Sequence, residues 1–77
     1  MSRPDYIAEV IGVRGTVQWY KADKGYGFIR PDDGDKDVFM HAKHINFDPQ
    51  PGDRVFFSIA EDRRRNRTYA VEVVLEG

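Results

Sequence analysis

Short segments rich in β-branched and aromatic residues alternate with polar turns along most of this 77-residue chain. The pattern predicts five strands, at residues 13–20, 26–30, 37–41, 54–60 and 68–75. Residues 42–45 are long enough for one helical turn, and no segment sustains the period of a longer helix. The pattern therefore predicts an all-β fold, a small five-stranded antiparallel β-barrel, preceded by a partly ordered lead-in over residues 1–12.

The second and third predicted strands carry large aromatic side chains on one face and small or aliphatic ones on the other, because side chains alternate along a strand. The aromatic set is Tyr26, Phe28, Phe39 and His41. The opposite set is Gly27, Ile29, Val38 and Met40. A barrel of about five strands has a narrow interior that accepts the aliphatic set more easily, so we expect the aromatic set to face outward. Periodicity alone leaves the opposite assignment, with the rings in the core, almost equally good.

Three further residues extend this predicted aromatic face. Strict alternation would place Trp19 with Val17, which has the character of a core residue, so we expect a bend or bulge near Trp19–Tyr20 to turn the indole outward. Arg30 lies on the aromatic face by the same alternation, and Lys24 lies at its end. An exposed patch of rings is typical of a binding surface, and nucleic-acid bases stack on such rings while cations contact the phosphates.

The charge balance does not favour binding to a polyanion. Twelve Lys and Arg residues oppose thirteen Asp and Glu residues, so the formal net charge is −1, whereas nucleic-acid binders are usually basic. Most of any affinity for nucleic acid would then come from stacking. The chain has no cysteine, which excludes a disulfide framework and a thiolate metal site. No apolar run is long enough for a signal peptide or a membrane span, so a cytoplasmic location is expected.

The sequence gives weaker support for a metal site, a calcium loop or a catalytic triad. His41 and His44 are three residues apart, but the lack of cysteine and the strand at His41 argue against a metal site. The alternating aspartates of residues 33–37 resemble the start of a calcium loop, but Val38 occupies the required glycine position. No serine or aspartate is placed by motif to form a catalytic triad, so no enzymatic activity is predicted.

The turn between the last two predicted strands is strongly basic. It contains Arg63, Arg64, Arg65 and Arg67, and it follows Glu61 and Asp62. Arg63 and Arg65 are candidates for an additional phosphate contact. A solvated turn, in which the two acidic residues balance the arginines, is an equally good interpretation.

Two sequence motifs carry a family resemblance. Residues 24–29, with the sequence KGYGFI, and residues 38–41, with the sequence VFMH, resemble the two ribonucleoprotein motifs of cold-shock domains. Residues 15–20, GTVQWY, are similar to the first strand of that family, and the resemblance continues more loosely over residues 52–73. It implies an OB-type barrel without enzymatic activity over residues 13–77. We also expect a monomer that holds no metal or cofactor. Such domains bind single-stranded RNA and DNA and act as RNA chaperones or transcription antiterminators.

Carried over position by position, the resemblance implies a nucleic-acid-binding face. Its members are Trp19, Lys24, Tyr26, Phe28, Phe39 and His41. The chain departs from the family at Gln18, where lysine is usual, and at Ala42, where an aromatic residue commonly follows the histidine. The loop over residues 46–52 looks short, and Phe47 is a candidate replacement for the aromatic residue of that loop. The main alternative function is a protein-interaction barrel that docks a peptide or partner domain on the same face.

Overall fold

The computed structural model describes residues 6–34 and 36–76 and shows a closed barrel of five strands. The strands are β1 (Ala8–Lys21), β2 (Tyr26–Pro31), β3 (Val38–His41), β4 (Arg54–Asp62) and β5 (Arg67–Leu75). A short 3-10 turn, Ala42–His44, follows β3. Neighbouring strands pair in the order β1-β2-β3-β5-β4, and β4 also pairs with β1. The all-β class and the small five-stranded OB-type barrel predicted from the sequence are confirmed.

Two features of the sheet differ from the prediction. β1 begins at Ala8 rather than at Val13, and its first half pairs with β4, while residues 1–5 of the predicted lead-in lie outside the described residues. Register shifts on both sides of Val10 interrupt the alternation that would have marked this segment as a strand. The β3–β5 pair is parallel, whereas the other four neighbouring pairs are antiparallel. The barrel therefore closes through one parallel seam.

The interior of the barrel is aliphatic apart from one phenylalanine. Its cluster of buried side chains consists of Val17, Ile29, Val38, Met40, Val55, Phe57, Ala70 and Val73, each at most 7% exposed. Burying a large apolar side chain contributes about 1.5–3 kcal/mol relative to leaving it exposed. Every strand supplies at least one member, so this cluster ties all five strands together.

β1 and β2 approach each other closely at Gly27. A Cβ atom at this position would overlap the carbonyl oxygen of Trp19 and lie 2.8 Å from Cα of Tyr20. Any larger residue would therefore push the two strands apart. Gly27 allows the close backbone packing that sets Trp19 beside β2.

Arg54, the first residue of β4, joins the β2–β3 turn to β1. Its guanidinium donates two hydrogen bonds of 2.6 Å to the carboxylate of Asp32 and one of 2.8 Å to Oγ1 of Thr16. Glu76 lies 3.5 Å from the same guanidinium. The hydrogen bonds from Arg54 lower the pKa of Asp32 below its ordinary value. This bidentate pair holds the end of the hairpin against the strand that follows it in the chain.

Candidate nucleic-acid interface

Five side chains form one aromatic face on the outer surface of β1, β2 and β3. This aromatic face consists of Trp19, Tyr26, Phe28, Phe39 and His41. Strand pairing brings its members together, since Phe28 lies opposite both Trp19 and Phe39. Tyr26 lies opposite His41 in the same way. Four pairs of rings have centroids 5.2–5.8 Å apart, so the rings form a continuous surface.

A bulge in β1 places Trp19 on this face. Val17 is paired with Ile29 and Trp19 with Phe28, so Gln18 is an extra residue without its own partner on β2. The bulge turns successive odd-numbered residues to opposite sides of the sheet, with Val17 1% exposed and Trp19 36% exposed. The predicted bulge is confirmed, one residue before the expected position.

The rings of the aromatic face hold one another while remaining accessible. Tyr26, Phe28 and Phe39 are half-buried. Tyr26 stacks on Phe39 with an interplanar angle of 28°, and Trp19 packs against Phe28 at 52°. Ring pairs of this kind contribute about 0.5–1.5 kcal/mol beyond the area that they bury. They restrict the rings, so less side-chain entropy would be lost if a ligand bound here.

His41 is held at the end of the face by the turn that follows β3. Its Nδ1 accepts a hydrogen bond of 3.1 Å from the backbone N–H of Lys43. The N–H of Ala42 donates to the carbonyl of Gly25 at 2.8 Å, and Gly25 has a φ of +73°, which favours glycine. Because Nδ1 is an acceptor, the neutral ring carries its proton on Nε2, which is a donor suited to the edge of a base.

The two cations predicted for the face differ in their surroundings. Lys24 is exposed in the β1–β2 turn, where its backbone N–H donates to the carbonyl of Lys21. Arg30 is also exposed, but its Nε lies 2.5 Å from the carboxylate of Asp37. A phosphate at Arg30 would have to compete with Asp37, so this predicted contact is weaker than the sequence alone suggests.

Two further cations lie over rings of the aromatic face. Nζ of Lys21 is 5.8 Å from the Trp19 ring, and Cζ of Arg67 is 4.2 Å from the centroid of Phe39. Lys21 was not predicted as a site residue, although alternation along β1 places it on the same face as Trp19. Arg67 was predicted only as part of a basic turn, because no local pattern shows that β5 runs beside β3.

The additional candidates are not members of the aromatic face. Phe47 is half-buried and packs against the core cluster, so stacking on a base would require it to leave that packing. Nε of Arg63 lies 3.6 Å from Glu61, and Arg65 lies 3.8 Å from Asp62. The two arginine side chains are 88% and 70% exposed, and ion pairs so exposed contribute little free energy. Both arginines are therefore able to turn toward a phosphate.

Neither a metal site nor a membrane-spanning helix is present in the described part of the chain. Within residues 6–34 and 36–76, no group of three His, Cys, Asp or Glu side chains is placed to hold a metal ion. The same part of the chain forms no helix long and apolar enough to cross a membrane.

A closed five-stranded barrel with a row of outward-facing rings belongs to the class of OB-type nucleic-acid-binding barrels. Residues 13–75 match the family profile described as the "'Cold-shock' DNA-binding domain". This match covers most of the chain, so the chain belongs to the cold-shock domain family and is a nucleic-acid-binding domain.

Individual relatives agree with the family match. A cold shock-like protein of Aquifex aeolicus is 42% identical over 67 residues, which cover 82% of this chain and 96% of that protein. The cold shock-like protein CspG of Escherichia coli is 46% identical over 54 residues, covering 65% of this chain and 77% of the relative. Cold shock protein CspA of Rhizobium meliloti is 38% identical over 60 residues, 73% of this chain and 87% of its own length.

Proposed function

We propose that this domain binds single-stranded RNA or DNA by stacking bases on the aromatic face, and that it does so without catalysing a reaction or using a cofactor. In the cell it acts as an RNA chaperone or transcription antiterminator, as a cytoplasmic monomer. The observation that supports this proposal is the row of half-exposed rings, spaced 5.2–5.8 Å apart on a rigid sheet. Each base stacked on such a ring is worth about 1–3 kcal/mol.

Single strands are favoured over duplexes because stacking needs an exposed base face. In a duplex both faces of a base are covered by its neighbours, so a flat aromatic surface gains little from it. Lys24 and Lys21 lie near the β1–β2 end of the face, where they can contact phosphates that follow the stacked bases.

The first experiment is a fluorescence titration with oligothymidine. Trp19 is the single tryptophan of the chain and a member of the aromatic face, so a stacked base should quench its emission with saturation. A duplex of the same length is the control and should quench far less. If tens-of-micromolar oligothymidine leaves the emission unchanged, the proposal is wrong.

Salt dependence tests the source of the affinity. With a net charge of −1 and few cations beside the rings, about two or three phosphates should be neutralised, so log K should fall with log salt at a slope of about −1.4 to −2.1. A slope steeper than about −5 would show that charge, and not stacking, dominates binding.

The near-neutral charge also favours a second candidate, a barrel that docks a peptide or protein partner on the same rings. The two functions are separated by the same titration, because a protein-docking face would not respond to oligothymidine. Chaperone action is tested by following the opening of a fluorescently labelled RNA hairpin, which the domain should promote by holding its unpaired strand.

A further inference from the structure

Tyr6, which precedes β1, packs against the turn that follows β3. The family match begins at residue 13, so Tyr6 lies outside it. The Tyr6 ring meets the His44 ring edge-on, with centroids 5.3 Å apart and an interplanar angle of 89°. His44 also packs against Tyr69 of β5, with ring centroids 5.5 Å apart. The His44 ring therefore connects Tyr6 to a strand of the barrel.

The hydroxyl of Tyr6 is anchored separately, at a bulge in β5. A register shift between Phe56 and Ser58 leaves residues 72 and 73 of β5 opposite residue 57 of β4. Glu72 in this bulge has a φ of +52°, which residues other than glycine rarely adopt. The Tyr6 hydroxyl donates a hydrogen bond to the Glu72 carboxylate. Partial burial and this hydrogen bond raise the pKa of Tyr6, so its hydroxyl stays protonated as a donor at neutral pH.

The turn that Tyr6 packs against also orients His41. The backbone N–H of Lys43 donates to Nδ1 of His41 at 3.1 Å, so the tautomer and direction of the His41 ring depend on where the turn places Lys43. Backbone contacts hold the two ends of the turn, at Ala42 and Ile45. The ring contacts of His44 hold the segment between them. Loss of these ring contacts would let the Lys43 N–H turn away from His41.

We infer that Tyr6 is a positioning residue for the aromatic face. By holding His44 in place, it keeps the 3-10 turn in the shape that directs the Lys43 N–H at His41. The His41 ring then presents its Nε2–H outward in a fixed direction, as a donor to the edge of a base. Tyr6 acts through the turn and does not itself contact the ligand. The role of His41 toward a base rests on the proposed function.

The first part of the test needs no ligand. The ¹⁵N chemical shifts of the His41 ring report which nitrogen carries the proton when the ring is neutral. In the parent protein the Nε2–H tautomer should dominate, because Nδ1 is an acceptor. Tyr6→Ala should shift the ring toward a mixture of the two tautomers and make the Lys43 amide hydrogen exchange faster with solvent. Tyr6→Phe keeps the ring that contacts His44 and should stay close to the parent in both measurements.

The second part is a double-mutant cycle on oligothymidine affinity. Tyr6→Ala should weaken binding about two- to tenfold, but it should have no further effect in a His41→Ala background, since the two residues act as one unit. Tyr6→Phe should stay within about twofold of the parent. Ile7→Ala is the matched control, because Ile7 is the next residue and is 83% exposed, and it should change neither the tautomer nor the affinity. Thermal unfolding confirms that each variant is folded at the temperature used.

Two results would overturn the inference. The first is a His41 tautomer and a Lys43 amide exchange rate that stay unchanged in Tyr6→Ala. The second is an equal loss of affinity with and without the His41 ring, which would show that Tyr6 acts elsewhere. If the parent binds no oligothymidine at all, the proposed function fails. A tautomer that depends on Tyr6 would still support the positioning of His41 in that case, and a tautomer independent of Tyr6 would overturn it.

Discussion

On the inner side of the β2–β3 hairpin, Ile29 and Met40 are completely buried, whereas on its outer side Phe28 and Phe39 remain half-exposed. The inner residues contact side chains from all the other strands through the core cluster. The outer rings contact mainly each other and Trp19. The larger apolar side chains of this hairpin are therefore the ones left in contact with water.

Under the proposed function, the two sides of one hairpin serve different purposes. If stability alone determined the positions of the side chains, the largest apolar groups would be the most buried, because the free energy gained grows with buried apolar area. The aromatic face gives up part of that gain, and under the proposed function its exposed ring surface serves to bind a ligand. Substitutions on the inner side should therefore mainly lower stability, and substitutions on the outer side should mainly weaken binding.

The largest effect should come from the inner side. Ile29→Ala removes a fully buried side chain from the core cluster and should lower the free energy of unfolding by about 2–5 kcal/mol. Urea denaturation of the variant and the parent measures this loss. Under conditions where the variant is folded, its affinity for oligothymidine should stay within about twofold of the parent. A stability loss under about 1 kcal/mol would contradict the core position of Ile29.

The outer side should show the reverse. Phe28→Ala should weaken oligothymidine binding by about 1–3 kcal/mol, because it removes one stacking ring from the centre of the face. Its cost in unfolding free energy should be smaller than that of Ile29→Ala. Phe56→Ala is the matched control, since Phe56 is another exposed phenylalanine but lies on β4 beside Arg14. If Phe28→Ala destabilises the fold more than Ile29→Ala does, the assignment of the rings to the outer side is wrong.

The outer side can also be extended by one ring. Ala42→Phe places an aromatic side chain next to His41, at the end of the face, and should strengthen binding by about 1 kcal/mol, or fivefold. The gain should appear only with oligonucleotides long enough to reach residue 42 and should leave the salt slope unchanged, since no charge is added. Ala42→Leu adds bulk without a ring and should give no such gain. If Ala42→Leu gained as much affinity as Ala42→Phe, the effect would come from apolar contact and not from stacking.

The smallest effect concerns the turn of the hairpin, where Asp32 is paired with Arg54. The folded-state pKa of Asp32 is lowered by its hydrogen bonds from Arg54, below an ordinary value of 3.8. The pair therefore contributes stability above about pH 4, and this contribution is lost as the pH falls through the folded-state pKa. The stability difference between the parent and Asp32→Asn should thus be largest near neutral pH and shrink in acid. Asp33→Asn, in the same turn, controls for the loss of a charge, and denaturant melts at several pH values provide the comparison.

Local patterns predicted most of this architecture. β2, β3, β4 and β5 begin and end within two residues of their predicted positions, because each has alternation or β-branched content bounded by turn residues. The narrow core of a five-stranded barrel favoured the outward position of the hairpin rings, and the resemblance to cold-shock domains decided it. The bulge near Trp19 was expected because strict alternation would have placed the indole with the core residue Val17. The assignment of these rings to a nucleic-acid ligand remains a prediction that the titrations above test.

Contacts between residues far apart in the chain could not be predicted from local sequence patterns. The start of β1 could not be recognised from the sequence. Bulges interrupt the pairing of Ala8–Val13 with β4, so polar and apolar residues do not alternate regularly in that segment. The position of Arg67 over Phe39 depends on the parallel β3–β5 seam between residues that are far apart in the chain. The pairing of Arg30 with Asp37 spans the loop between two strands, and no residue pattern distinguishes it from two solvated charges.

The bulge at Gln18 has a consequence for changes in strand length. Deleting Gln18 would make Val17 and Trp19 consecutive, and a regular strand places consecutive residues on opposite sides, which is where both residues are now. Deleting Tyr20 instead would move Lys21 into a position that packs against the core. The tolerance of β1 to losing a residue thus depends on position more than on the chemistry of the residue lost. Natural one-residue deletions in this strand should accordingly occur at Gln18.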